Sequence, residues 1–186
     1  MESFLISLST VAIAEMGDRT QLLSLMLAAR FRRPWPILAG VLCATIANHA
    51  AAALIGQGLG HVLTPRILDI AVGVSMVVMA LWTLKPDKLD EGSTGGGTRR
   101  GAFLATLISF FIAEIGDKTQ IATLALAAGY SNLGAVVAGT TTGMLLANAP
   151  VIFFGKAFAT RLPLQAIRYV ASALFVALGV FFLVRA

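Results

Sequence analysis

The sequence predicts an all-α integral membrane protein with six transmembrane helices arranged as two inverted three-helix repeats. Three observations point there. The 186 residues are 58% hydrophobic and only 12% charged, with a mean hydropathy of +0.86, which leaves too little polar surface for a water-soluble globule. The apolar runs are about 20 residues long, the length needed to cross a hydrocarbon core of roughly 30 Å. Finally, one charged septet occurs twice inside such runs, as Glu15-Met16-Gly17-Asp18-Arg19-Thr20-Gln21 and Glu114-Ile115-Gly116-Asp117-Lys118-Thr119-Gln120, 99 residues apart.

Breaks in the apolar pattern define the elements in order. Span one runs over about Phe4–Ala29 and stops at Arg30-Phe31-Arg32-Arg33-Pro34. Met1-Glu2-Ser3 carries no positive charge ahead of it and no obvious cleavage signal follows, so span one reads as retained and not as a leader. Span two, about Trp35–Gly60, opens beside Pro34 and Pro36, tolerated in a first turn where a missing N–H has no partner to lose. Span three, Pro65–Leu84, has Thr64 as N-cap and Pro65 at the first helical position. Residues 85–100 then change character, with charges of both signs followed by Gly92-Ser93-Thr94-Gly95-Gly96-Gly97, the composition of a flexible linker. Spans four (about Gly101–Ala128), five (Asn132–Gly155) and six (Pro163–Val184) repeat the pattern. The organisation is therefore one repeat over 1–84, a cytoplasmic linker over 85–100, and a second repeat over 101–186.

The halves align beyond the septet. At the same offset of 99, Ala28-Ala29 matches Ala127-Ala128, Ala39-Gly40 matches Ala138-Gly139, and Gly56 matches Gly155. Ala47-Asn48 and Ala147-Asn148 match at an offset of 100, implying a one-residue slip inside that helix. Five identities in seven positions, with Arg19 against Lys118 preserving charge, do not arise from shared Ala/Leu/Gly bias. Three spans per half force the halves into opposite orientations, the plan of many secondary transporters. Loops one, three and five hold 10 Lys and Arg and the other side holds 2, Arg66 and Arg185. By the positive-inside rule the first set is cytoplasmic and both termini face outward. The net charge of +5 thus belongs to membrane topology and does not indicate nucleic acid. The single Cys43 excludes an internal disulfide and a cysteine metal cage.

Ionisable groups at membrane depth are expensive and mark ion paths, proton relays or substrate sites. On a continuous helix Glu15 and Asp18 share a face with Arg19 beside them, and Glu114, Asp117 and Lys118 do likewise. Each set lies about halfway through its span, roughly 15 Å from either end. Gly17 and Gly116 permit close helix approach or local unwinding. Four carboxylates against the charge-balancing Arg19 and Lys118 leave a formal −2, suited to one divalent cation. The donors are oxygens: Glu15, Asp18, Glu114 and Asp117 as metal ligands, with Gln21, Gln120, Thr20, Thr119, Asn48 and Asn148 as supporting or further candidates. Such a set suits Mn²⁺, Ca²⁺ and Mg²⁺ over softer metals. On a regular helix Thr20 and Thr119 point away from the carboxylate face, so back-bonding to the helix stands beside ligation for them. His49 serves in helix packing or hydrogen bonding, with a tilt toward transition metals as the alternative. Pro150 is expected to kink span five and expose carbonyls.

With those residues in hand, the chain resembles the small cation-transporter family defined by two E-x-G-D-[KR]-[ST] motifs, which includes bacterial MneA-type manganese exporters and the Golgi calcium/manganese:proton transporters. The resemblance covers essentially the whole chain, and its two motifs are Glu15 to Thr20 and Glu114 to Thr119. It implies a transporter and not an enzyme, without a cofactor, exporting Mn²⁺ or Ca²⁺ in exchange for protons across a bacterial inner membrane. The residues supply their own reason for protons. Crowded carboxylates in a low-dielectric site share protons when empty, and a metal ion must displace them. Exporting a divalent ion against an inside-negative potential costs roughly 4.6 kcal/mol per 100 mV, which two entering protons would cancel. An exporter of small organic solutes such as amino acids is the alternative reading. An intramembrane aspartyl protease built on Asp18 and Asp117 is more remote, since it has no use for Glu15, Glu114 and two cations.

Overall fold

The computed structural model describes residues 1–84, 98–155 and 164–186, and every regular element among them is a helix. In chain order these are α1 (Glu2–Glu15), α2 (Arg19–Phe31), α3 (Pro34–Val62), α4 (Pro65–Leu84), α5 (Arg99–Glu114), α6 (Lys118–Gly129), α7 (Leu133–Phe154) and α8 (Leu164–Arg185). Expected spans two, three, five and six correspond to α3, α4, α7 and α8. Expected spans one and four are each two helices, broken at the septet.

The break has a local cause. Met16 has φ −63° and ψ 119°, Gly17 has φ +79°, and the Asp18 N–H donates to the Glu15 carbonyl at 3.0 Å. Those are the marks of a type II β-turn, which requires a positive φ at its third residue and so selects glycine there. The second septet repeats it with Ile115 at φ −62°, ψ 117°, Gly116 at φ +72°, and Asp117 N–H to Glu114 O at 3.1 Å. Asp18 and Asp117 then stand extended as N-caps of α2 and α6. The continuous-helix placement of Glu15 and Asp18 on one face therefore does not hold; they flank a turn.

Elsewhere the ends follow their signals. Thr98 caps α5 by accepting from Gly101 N–H at 2.9 Å, so that helix begins at Arg99, just inside the expected linker. Residues 85–97, including Gly92–Gly97, lie outside the described residues, as do Lys156 and Arg161. Asn132 caps α7 through a bond from Ala135 N–H at 2.9 Å. Pro150 lies inside α7, where it withholds the N–H that would bond the Leu146 carbonyl.

Helices α3, α4 and α7 are each long and apolar enough to cross a membrane. The surface is apolar, with Leu54, Ile55, Leu81, Ile108, Ile112 and Phe154 well exposed, while Glu15, Glu114, Asn48, Asn148 and His49 are buried. That inside-out distribution suits lipid and would be ruinous in water. Two apolar clusters frame the polar centre. One joins α4, α6 and α8 through Val72, Met76, Leu126, Phe175 and Phe182; the other joins α1, α2, α3, α5 and α7 through Val11, Leu27, Val41, Phe110 and Met144.

The packing is reciprocal. Helix α1 lies on α7, α5 lies on α3, and α4 pairs with α8. A Cβ added at Gly40 would sit 2.9 Å from the Phe103 carbonyl, and one at Gly139 2.5 Å from the Phe4 carbonyl, so both crossings need the missing side chain. Phe4 and Phe103, like Gly40 and Gly139, are 99 residues apart. The same offset relates Gln120, which reaches Asn48, to Gln21, which reaches Ala147. The expected one-residue slip is therefore absent, and the counterpart of His49 is Asn148.

Candidate cation site

Glu15 and Glu114 are the last residues of α1 and α5, where the negative end of each helix dipole adds to the carboxylate's attraction for a cation. Both are fully buried. With Asp117 they form a cluster in which one ligand oxygen from each lies within 4.8 Å of the others. The two halves thus meet at their breaks. Asp18, the fourth predicted carboxylate, is not in this cluster. It is 2.8 Å from Lys118 Nζ, while Arg19 reaches Asp117 at 2.9 Å.

These two ion pairs cross between repeats. Once the helix is interrupted by a turn, Glu15 and Arg19 no longer sit one turn apart, and each cation finds the aspartate of the other motif. With Asp18 and Asp117 each facing a cation, the formal −2 resides on Glu15 and Glu114.

The threonines also differ from the regular-helix expectation. Thr20 Oγ1 donates to Glu15 Oε2, and Thr119 Oγ1 donates to Glu114 Oε2 at 3.1 Å. The turn swings both hydroxyls back over the preceding glutamate. Gln21 and Gln120 act as clamps. Their Oε1 atoms accept from Gly17 N–H at 2.9 Å and Gly116 N–H at 2.7 Å, holding each turn closed. Their Nε2 atoms donate to the Ala147 carbonyl at 2.9 Å and to Asn48 Oδ1 at 3.4 Å. Asn48 donates to the Phe111 carbonyl at 3.1 Å, and Asn148 to the Met144 carbonyl at 3.1 Å. The bonds of Gln21, Gln120 and Asn48 tie helices together around the cluster, while that of Asn148 stays within α7.

Ser24 escaped the sequence reading. Its hydroxyl donates to Asn148 Oδ1 at 2.6 Å, fastening α2 to α7. The available signal was its position three residues after Gln21, on the same helical face.

What remains open is informative. Glu15 Oε1, Glu114 Oε1 and both ring nitrogens of His49 are buried without a hydrogen-bond partner among the described residues. Buried acceptors left this way are costly unless something occupies the space between them. Hard oxygen donors from two helix C-termini, buried within 4.8 Å of one another, are suited to holding a cation.

The sequence matches the divalent cation/proton antiporter family GDT1 over residues 3–91 and 102–186. The chain belongs to that family. It is therefore a membrane transporter of the cation/proton antiporter class and not an enzyme, which removes the protease reading; Asp18 and Asp117, each facing a cation, agree with that. A Vibrio cholerae protein named "Putative manganese exporter" is 53% identical over 94% of this chain and 87% of its own length. A GDT1-like protein of Synechocystis is 27% identical over 94% of this chain and 93% of its own, and one of Schizosaccharomyces pombe is 24% identical over 96% and 81%. No solved structure matches the chain.

Proposed function

We propose that this GDT1-family chain exports Mn²⁺ from the cytoplasm in exchange for protons, with Glu15, Glu114 and Asp117 holding the ion. The observation that carries the reading is the three-carboxylate cluster, assembled from both septets and buried among apolar helices. Asp18 and Lys118 form a compensated pair beside it, and Arg19 balances Asp117. The manganese assignment leans on the Vibrio cholerae relative and on the all-oxygen carboxylate set; Ca²⁺ shares that chemistry and is the competing cargo. Protons follow from the same groups, because an ion entering the cluster displaces whatever protons the carboxylates share.

In this reading α1 with α2, and α5 with α6, are two broken spans. With α3, α4, α7 and α8 they make six crossings in two inverted repeats, in a bacterial inner membrane. The 10-to-2 division of Lys and Arg supports cytoplasmic loops one, three and five and external termini. Cysteines placed at Ser3 and Gly96 should then label from opposite sides; labelling from one side would overturn the topology.

The functional test uses purified protein in vesicles with a pH-sensitive dye inside and an imposed Mn²⁺ gradient. Wild type should move protons against Mn²⁺, and Glu114→Gln should not. Mn²⁺ flux indifferent to a pH gradient would replace the exchanger with a uniporter. Absence of both Mn²⁺ and Ca²⁺ flux would overturn the proposal.

A further inference from the structure

His49 lies in the middle of α3, fully buried, with Nε2 3.8 Å from Glu114 Oε2. That is too long for a hydrogen bond. Neither ring nitrogen has a partner among the described residues. A buried imidazole used for packing or interhelical bonding ordinarily donates one N–H and accepts at the other nitrogen. His49 does neither, so the bonding role read from the sequence does not describe it.

Its repeat counterpart makes the contrast. Asn148 accepts from Ser24 at 2.6 Å and donates to the Met144 carbonyl at 3.1 Å, so its amide is used on both sides. The two halves therefore present unlike groups at the same register position. One is a satisfied amide; the other is an unsatisfied imidazole beside a cluster carboxylate.

Building on the cation-site reading, we propose that His49 Nε2 is a fourth donor to the transported ion, making the site three carboxylates and one imidazole. Two ligands each about 2.1 Å from one transition-metal ion lie about 3.0 to 4.2 Å apart, depending on the angle between them. The 3.8 Å between Nε2 and Glu114 Oε2 falls in that interval. The carboxylate oxygens, up to 4.8 Å apart, have to contract around an ion; His49 stands outside that cluster, against Glu114 alone, and completes the site by closing with it. The chemical consequence is selectivity. Mn²⁺ prefers oxygen donors but, as a first-row transition metal, accepts an imidazole nitrogen more readily than Ca²⁺, whose ligands are oxygens. His49 thereby favours Mn²⁺ over Ca²⁺ at a site whose carboxylates accommodate both.

The experiment is pulsed electron spin resonance of Mn²⁺ bound to tag-free purified protein. Wild type should show modulation from a directly bonded ¹⁴N, altered on labelling histidines with ¹⁵N, retained in His61→Gln and lost in His49→Gln. His61, near the exposed end of α3, controls for adventitious nitrogen. His49→Gln should also lower the ratio of Mn²⁺ to Ca²⁺ affinity by about tenfold or more. The wild-type spectrum stands as a test even if the variant does not fold. Bound Mn²⁺ without nitrogen modulation overturns the role of His49 and leaves the carboxylate site intact; no Mn²⁺ binding to wild type overturns both.

Discussion

At the first helix break Gly17 is buried and the Arg19 side chain is 35% exposed; at the second, Gly116 is exposed and Lys118 is almost wholly enclosed. The backbones at the two breaks are nearly alike in φ and ψ, and each turn is closed by the glutamine at the end of its own septet. Their surroundings are not equivalent. Asp117 joins the glutamates and Asp18 does not; His49 stands open where Asn148 is satisfied. A duplicated motif fixes a backbone, and the neighbouring helices decide which of its carboxylates join the cluster. For an exchanger built from two such motifs, this inequality is the feature to perturb.

The largest effect expected from perturbing it is on exchange. Asp117→Asn removes a cluster ligand and should depress Mn²⁺-driven proton movement in vesicles by about 100-fold or more, beyond the loss typical of groups that only orient ligands. Asp18→Asn acts on a residue outside the cluster and should reduce exchange by about 10- to 100-fold at most, the range of groups that only orient ligands. Equal losses would mean that Asp18 enters the site during transport and that the asymmetry is only that of one conformation.

Stability should separate the two ion pairs. Lys118→Met removes one partner of a buried ion pair and should cost about 3–5 kcal/mol. Arg19→Met disturbs a pair screened by solvent on one side and should cost about 1 kcal/mol or less. Unfolding in detergent micelles measures both, and the double variant Asp18→Leu with Lys118→Met should recover most of the larger loss.

Gly17→Ala and Gly116→Ala force a side chain into the left-handed region and should each cost about 1–2 kcal/mol. The two values should agree within error, because the strain resides in the turn that both breaks share. A much larger cost at buried Gly17 would show that packing, and not φ, governs that site.

The smallest contrast is between Ser24 and Thr123, again 99 residues apart. Ser24→Ala strips Asn148 Oδ1 of its donor and should cost about 1–2 kcal/mol. Thr123 bonds back to the Thr119 carbonyl of its own helix at 2.7 Å, so Thr123→Ala should cost less than half as much in the same unfolding assay.

Much of this was legible in the chain. Hydropathy and length located α3, α4, α7 and α8 within a few residues, since a long apolar run has one stable form in lipid. The septets stand out as the candidate site because ionisable groups in such runs are too costly to be incidental. The break inside them was signalled as well: Gly followed by Asp is a turn residue before an N-cap, yet the surrounding apolar periodicity favoured an unbroken helix. The turn prevails because the glutamine at the end of each septet accepts from its glycine N–H. Residues 85–97, the heart of the expected linker, lie outside the described residues.

By itself, then, the sequence determined what depends on local chemistry: apolar spans, a duplicated motif, and a surplus of carboxylate inside apolar runs. Only the tertiary structure decided the partners. That Lys118 belongs to Asp18 and Arg19 to Asp117, that Thr20 turns toward Glu15, that three carboxylates meet while the fourth stands aside, and that His49 faces Glu114 unbonded are outcomes of how α3 and α7 pack across the opposite repeat. Motif spacing specifies groups within one helix turn. Contacts between segments about 100 residues apart are specified by shape and close packing at positions such as Gly40 and Gly139, distributed over the whole bundle and written in no single stretch of it.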